Sequence, residues 1–187
     1  SDAPATYGAP LHFLDCQDLR IGPLLDADAG AVPGVQANGD DTNGLDDEDG
    51  VVTLPVFATG GPQTISVTVS NLLNTTGFPA NLYGWIDLNG NGQFSSNEFA
   101  SATLANGFTG SQTLTWSNVT VSGTAANHYL RIRLTTNNLN DNGGTSAVDE
   151  RSTASASNGE VEDYLAIELT CPVNVTEADC QTQAAID

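Results

Sequence analysis

Short stretches of alternating apolar and polar residues follow one another from Val51 to the end of the chain. Such a period of two, bounded by Gly, Asn and Thr clusters, is typical of half-buried strands, and no segment shows a sustained helical period. The first stretch contains Pro55, which suits an edge strand. Together the stretches predict an all-β fold, an antiparallel β-sandwich that is jelly-roll-like and has long metal-stabilised loops. The predicted strands span residues 51–56, 65–70, 82–88, 112–116, 119–121, 129–135 and 161–169.

The regions outside these strands divide the chain. Residues 1–50 are rich in Gly, Pro, Asp and Ala, so we expect a long ordered loop that wraps over a sheet or is held by metal. We expect one domain over residues 1–169, and a linker or the start of a following extracellular module over residues 170–187. Within the strand at 129–135, alternation predicts that Leu130, Ile132 and Leu134 face the core while Arg131 and Arg133 face outward.

Charge narrows the possible functions. The chain has 187 residues, with 23 Asp and Glu against 4 Lys and Arg, and a net charge of −19. Such a surface repels nucleic acid and anionic membranes, and no apolar run is long enough for insertion into a membrane. The absence of Met indicates a processed chain or a fragment. Three cysteines, whose pairing stays open, are too few for a disulfide scaffold: Cys16, Cys171 and Cys180.

The loop that follows the third predicted strand matches the twelve-residue calcium pattern of EF-hands. Calcium prefers six to eight oxygen ligands, which such a loop supplies from alternate positions. Because a strand enters the loop, we expect a calcium loop grafted onto a sheet. A chance Asn/Gly-rich turn is the alternative. The expected ligands are Asp87, Asn89, Asn91, Gln93 through its carbonyl, Ser95 through water, and Glu98, with Gly92 at the sharp turn and Phe94 as an apolar anchor.

Two further acidic clusters indicate more bound cations. Six carboxylates lie within residues 40–49, among them Asp40, Asp46, Asp47 and Asp49, and would repel one another without a counter-ion. The second cluster, at residues 160–163, opens the last predicted strand. A mobile acidic loop and a solvated strand end are the respective alternatives.

Within the second cluster, alternation places Asp163 on an otherwise apolar face. A buried unpaired carboxylate is costly, so this side chain needs a cation or a metal. The apolar residues predicted for the same face are Val161, Leu165, Ile167 and Leu169.

The run Gly159-Glu160-Val161-Glu162-Asp163-Tyr164 resembles the signature of the GEVED domain, a module of large secreted proteins of Bacteroidota-like bacteria. The resemblance extends over roughly residues 2–169. It implies a β-sandwich with calcium sites inside a multidomain secreted or cell-surface protein, and no catalytic activity. By position it implies that Asp47, Asp49, Glu162 and Asp163 meet, with Asp2 as a further candidate ligand. The other matching segments are Asp2-Ala3-Pro4, Tyr7-Gly8, His12, Asp26, residues 39–51, Trp85-Ile86-Asp87 with Asn89 and Gly90, and residues 130–133.

Two function classes remain open. Neither His12 nor His128 has a nucleophile motif nearby, and calcium would keep the paired acids ionised, so we expect no enzyme. Zinc is disfavoured because Cys and His are few and scattered. The first class is a calcium-stabilised adhesive or structural module at the bacterial surface, whose partners are flanking domains of the same chain.

The second class is a calcium-assisted carbohydrate-binding module attached to a secreted enzyme, which would bind cell-surface or matrix glycans. It needs an aromatic surface beside charged hydrogen-bonding groups. The alternative for both tryptophans, Trp85 and Trp116, is a place in the core. The candidate glycan-binding residues are Tyr83, Trp85, Tyr129, Arg131 and Arg133.

Overall fold

In the part of the chain that the structure describes, seven strands form two antiparallel sheets, which confirms the all-β class. The computed structural model describes residues 2–13, 19–24, 32–38, 48–54, 61–72, 78–117, 119–121, 127–143 and 148–166. Within these ranges helix is limited to 3₁₀ turns at Ala5–Tyr7, Ser96–Glu98 and Glu150–Ser152, and no helix is long and apolar enough to cross a membrane. The strands are β1 Leu19–Ile21, β2 Gln63–Asn71, β3 Ala80–Ile86, β4 Phe99–Leu104, β5 Phe108–Trp116, β6 His128–Thr135 and β7 Glu160–Ala166.

The two sheets share one apolar core, an arrangement consistent with the predicted sandwich. The smaller sheet has the order β1-β2-β5 and the larger the order β4-β3-β6-β7. Side chains alternate along each strand, so β2 directs Ile65, Val67 and Val69 to one side, and all three are buried. Opposite them, Leu130 and Ile132 of β6 belong to the same buried cluster. We call the side of the larger sheet that meets this cluster its inner face.

The other side of the larger sheet, its outer face, is also buried. Tyr83, Trp85 and Tyr129 lie there, and Tyr7 and Phe94 from outside the sheet pack on them in a second cluster. Residues 1–50 were expected to wrap over a sheet, and the segment around Tyr7 does so. The two sides of β3 and β6 therefore face two different cores, the inner core between the sheets and the outer core beneath the segment around Tyr7.

This covering corrects the prediction that Arg131 and Arg133 face outward to solvent. Both arginines are on the outer face, but their relative exposure is 0%. Alternation separates the two faces of a strand, but it does not reveal whether a loop covers the second face. The prediction that Leu130, Ile132 and Leu134 face the core is confirmed.

Strand prediction succeeded where alternation was clean. The predictions at 65–70, 82–88, 112–116 and 129–135 fall on β2, β3, β5 and β6, and 161–166 falls on β7. Short β1 and the Ala- and Ser-containing β4 were missed, because neither shows a marked alternation of large apolar residues.

Two predicted strands are wrong where the structure describes them. Residues 51–54 bend, with Val52 85% exposed, and only Val51 is buried. Residues 119–121 are irregular, although Val119 is buried in the inner core and donates its N–H to the Gly61 carbonyl at 3.3 Å. Residues 55–60 and the expected domain boundary after residue 169 lie outside the described ranges.

Candidate metal centre

The predicted calcium loop lies at one end of the larger sheet, between β3 and β4. It starts at Asp87, directly after β3, and ends at Glu98, directly before β4. Gly90 and Gly92 have positive φ angles of 65° and 80°, a backbone conformation that glycine adopts easily. Phe94 is fully buried, and its ring centroid lies 6.5 Å from that of Trp85. The loop is therefore anchored on the outer face, as its eighth position predicted.

Asp87 is fully buried and organises the first half of the loop. Its Oδ1 accepts from the Asn91 N–H at 3.2 Å, and its Oδ2 accepts from the Gly92 N–H at 2.9 Å. The Oδ1 atoms of Asn89 and Asn91 accept from the N–H groups of Asn91 and Gln93 at 3.0 and 2.9 Å. These consecutive turns give the loop its tight curvature.

Glu98 closes the second half of the loop and is 1% exposed. Its Oε1 accepts from the N–H groups of Leu88 and Asn89 at 2.9 and 3.3 Å, and from Asn89 Nδ2 at 3.0 Å. Its Oε2 accepts from Ser95 N and Ser95 Oγ at 3.0 and 2.6 Å, which forms a capping box. The carboxylate at position 12 thus joins both ends of the loop.

The electrostatics of this pair favour a cation. Burial raises the pKa of Glu98, and the negative charge of Asp87 raises it further, against the hydrogen bonds from Ser95 and Leu88. No arginine of the described residues contacts either carboxylate. Two buried carboxylates and the asparagine oxygens of the same loop form a donor set that fits calcium.

The predicted ligands in this loop are therefore brought together. Asp87, Asn89, Asn91 and Glu98 are linked by hydrogen bonds, and Gln93, an exposed residue, lies on the same turn. Among the described residues, no three Asp, Glu, His or Cys side chains are grouped so as to hold a metal by themselves. Any ion in this loop would depend on amide and backbone oxygens as well as on the two carboxylates.

The four-carboxylate site implied by the resemblance is not assembled as such. Glu162 pairs in register with Ile132 and therefore faces the inner core, whereas Asp163 pairs with Arg131 and faces the outer one. Because adjacent residues of one strand point in opposite directions, Glu162 and Asp163 belong to different sites. Asp40, Asp46 and Asp47 lie outside the described residues.

On the inner face, Glu160 and Glu162 are buried near Asp49. Glu160 Oε2 accepts from the Ile21 N–H at 2.6 Å, and Asp49 Oδ2 accepts from the Leu24 N–H at 3.2 Å. Burial raises the pKa of Glu162 well above its usual range, and the charges of Glu160 and Asp49 add to this. Glu162 Oε2 accepts from the Tyr164 hydroxyl, while its buried Oε1 has no partner among the described groups.

On the outer face, Asp163 has the cation that its burial was predicted to require, and that cation is Arg131. The Oδ1 atom of Asp163 accepts from Arg131 Nε at 2.7 Å, and its Oδ2 accepts from Arg131 Nη2 at 2.8 Å. The candidate ligand Asp2 is fully buried nearby, and its backbone N–H donates to Asp163 Oδ2 at 3.0 Å. A guanidinium therefore occupies the place beside Asp163 where a metal was expected.

The five candidate glycan-binding residues do not form an exposed surface. Their relative exposure lies between 0% and 6%. The tryptophans are in the core, as the alternative interpretation held. Trp85 Nε1 donates to Asp149 Oδ2 at 2.9 Å, and Trp116 Nε1 donates to the Glu98 carbonyl at 2.7 Å.

Sequence reasoning missed the residues that complete the outer face. Tyr7 donates to Asp87 Oδ2 at 2.5 Å, and Arg133 donates to His12 Nε2 from Nε at 2.9 Å. Asp149 pairs with Arg151 at 2.6 Å. No local pattern signals the contacts of Tyr7 and Arg133, because they join residues 80 and 121 positions apart.

Comparison with protein families gives a match to part of the chain. The family model described as the GEVED domain matches residues 81–167. This range runs from the second residue of β3 to just beyond β7 and includes the predicted calcium loop. The segments before residue 81 that resemble the family lie outside it. No curated protein and no solved structure matches the chain.

Proposed function

We propose that the chain is a calcium-stabilised, non-catalytic module of a secreted or cell-surface bacterial protein, which serves adhesion or structural spacing. The observation that carries the proposal is the loop from Asp87 to Glu98, whose two carboxylates are both buried and accept no hydrogen bond from an arginine among the described residues. Bound calcium would remove the repulsion between them. Asp87, Asn89, Asn91, Glu98 and the Gln93 carbonyl would hold the ion.

The position of the loop supports a structural role rather than a signalling one. Phe94 ties it to the outer core, and the Glu98 carbonyl accepts from Trp116, a residue of the inner core. An ion here would stiffen the junction of both cores. The jelly-roll-like connectivity, the Bacteroidota-like context and the extracellular location are parts of the same proposal, and they rest on the resemblance to the GEVED domain.

A calorimetric calcium titration tests the proposal. The wild-type chain should bind calcium, and Glu98→Gln should lose one binding event while remaining folded. Glu150→Gln is a matched control, because Glu150 Oε2 also accepts loop N–H groups, from Asn142 and Gly143 at 3.1 Å each, outside the Asp-Asn-Asn pattern. Equal stoichiometry in wild type and Glu98→Gln would refute calcium binding by this loop.

The carbohydrate-binding alternative has lost the aromatic surface on which it was based, because Tyr83, Trp85 and Tyr129 are buried. It would now require a calcium ion with open coordination positions that bind sugar hydroxyls. A glycan array in calcium and in chelator separates the two functions, since calcium-dependent saccharide binding would favour this alternative.

A further inference from the structure

An N-terminal strap, residues 2–8, lies across the outer face and contacts the calcium-like loop. Its start is held by Asp163, whose Oδ2 accepts from the N–H groups of Asp2 and Ala3 at 3.0 and 3.1 Å. Its end is held by Arg131, which donates to the carbonyls of Tyr7 and Gly8 at 3.0 and 3.1 Å. The buried ion pair of the sheet therefore fixes the strap at both ends.

Between these anchors, Tyr7 reaches the loop. Its ring centroid lies 4.7 Å from that of Phe94 and 5.0 Å from that of Tyr129. Its hydroxyl donates to Asp87 Oδ2 at 2.5 Å. The strap also approaches Gly92 closely, because a Cβ at that glycine would lie 3.2 Å from Thr6 Oγ1. The strap thus meets the first, sixth and eighth positions of the loop.

The hydrogen bonds of Asp87 give Tyr7 a specific role. Oδ2 is shared by the Tyr7 hydroxyl and the Gly92 N–H, whereas Oδ1 accepts only the longer bond from the Asn91 N–H, at 3.2 Å. Groups that donate to a metal-ligating carboxylate orient it, and their loss typically lowers metal affinity by about 10–100-fold. Without Tyr7, the backbone of the loop alone would hold Asp87.

We propose that Tyr7 is a positioning residue for Asp87, so that calcium binding by the loop and docking of the N-terminal strap are coupled. This inference rests on the proposed function. Coupling between two events is reciprocal, so calcium that binds better to the docked state stabilises docking to the same extent. The ion would then control how firmly the start of the module is held against its sheet.

The test compares Tyr7→Phe with Tyr129→Phe. Each change removes one hydroxyl from the same aromatic cluster, but the Tyr129 hydroxyl donates to the Val35 carbonyl at 2.9 Å and not to the loop. By calorimetry, Tyr7→Phe should weaken calcium binding by about 10–100-fold. Tyr129→Phe should change the Kd much less. Melting temperatures in chelator identify any general loss of stability.

A second measurement uses the wild-type chain alone. Calcium should slow hydrogen exchange at the Ala3, Tyr7 and Gly8 amides as well as in the loop. Equal calcium affinity in the two variants, or strap exchange that calcium leaves unchanged, would overturn the coupling while leaving the calcium loop intact. Absence of calcium binding by the wild type would instead remove the proposed function, on which the coupling depends.

Discussion

Glu162 and Asp163 are neighbours on β7, yet they experience opposite environments on the two faces of one sheet. Burial alone would raise the pKa of Asp163, but the charge and hydrogen bonds of Arg131 outweigh it and hold the pKa at about 2. At Glu162, burial raises the pKa well above its usual range, the charges of Glu160 and Asp49 raise it further, and the hydrogen bond from Tyr164 offsets only part of this rise. The fold therefore stabilises the ionised form of Asp163 and disfavours the ionised form of Glu162.

This difference shows that the sheet separates two kinds of core. The inner face packs mainly aliphatic residues, and its carboxylates lie where β7 meets β1 and the segment before Val51. The outer face packs aromatic rings around Arg131 and Arg133, beneath the strap and loops. Removing one partner of a buried ion pair strongly destabilises the folded protein, because the other charge is left buried and unpaired. Neutralising a buried single charge often costs little stability.

The largest expected effect comes from breaking the outer pair. Asp163→Asn leaves Arg131 buried without its carboxylate, so the free energy of unfolding should fall by about 3–5 kcal/mol in urea titrations followed by tryptophan fluorescence. Asp141→Asn is the control, because its carboxylate lies 3.9 Å from Arg151 and is partly exposed. The Asp141→Asn variant should lose much less unfolding free energy than Asp163→Asn. Equal losses in the two variants would contradict a special role for the outer face.

A smaller effect should appear as a pH dependence on the outer face. The Nε2 atom of His12 accepts from Arg133 Nε and Nη2 at 2.9 and 2.8 Å, so the imidazole must stay neutral. Burial first, and then the charge of Arg133, lowers the pKa of His12 to about 3. Below pH 6.5 the unfolded chain takes up a proton that the folded chain does not. The folded state should therefore lose up to about 1.4 kcal/mol per pH unit from pH 6.5 toward 3.

His12→Gln isolates this contribution. Glutamine does not titrate at this position. The unfolding free energy of the wild type minus that of the variant should therefore fall as the pH drops below 6.5, and it should stay constant above pH 6.5. The comparison is made in chelator, because calcium binding has its own pH dependence. Parallel pH profiles for the two chains would show that His12 does not stay neutral in the folded state.

The smallest effect is expected on the inner face. Glu162→Gln keeps an acceptor for the Tyr164 hydroxyl but removes the disfavoured charge. At neutral pH in chelator, the variant should be at most about 1 kcal/mol less stable than the wild type. A variant that is more stable than the wild type would agree with the same account. Because the folded-state pKa is raised, the wild type should gain stability as pH falls from neutral toward 4.5, and the variant should lack this gain.

The stabilities of the wild type and Glu162→Gln can also be compared in the presence of calcium. A loss of stability that appears only in calcium would identify Glu162 as a ligand, as the GEVED resemblance implies. A large loss in chelator would contradict the contrast between the faces, since it would mean that the Glu162 charge is stabilised by the fold.

The sequence predicted the strands whose alternation is clean and the placement of Leu130, Ile132 and Leu134. It also predicted that Asp163 needs a cation. It did not predict that this cation is Arg131, because the pairing depends on the register of β6 with β7. Strand spacing alone cannot supply that register, which arises from the assembled sheet.

The candidate loop was predictable for a different reason. Its sequence pattern is local, and the hydrogen bonds that link Asp87, Asn89, Asn91 and Glu98 all lie within residues 87–98. The contact from Tyr7 joins residues 80 positions apart, and no local pattern predicts it. The same limit explains why the aromatic residues of β3 were considered as an exposed surface: only the docked strap and loops show that they are covered.

Thermal unfolding in excess calcium and in chelator, for the wild type and Glu98→Gln, tests the central claim most directly. At a hundredfold excess over the Kd, calcium that binds only the folded chain adds about 2.7 kcal/mol. For a chain of this length that corresponds to a rise of roughly 5–10 °C in Tm. We predict such a rise for the wild type and a clearly smaller one for Glu98→Gln. A wild-type Tm that is the same in calcium and in chelator would contradict the calcium-stabilised module.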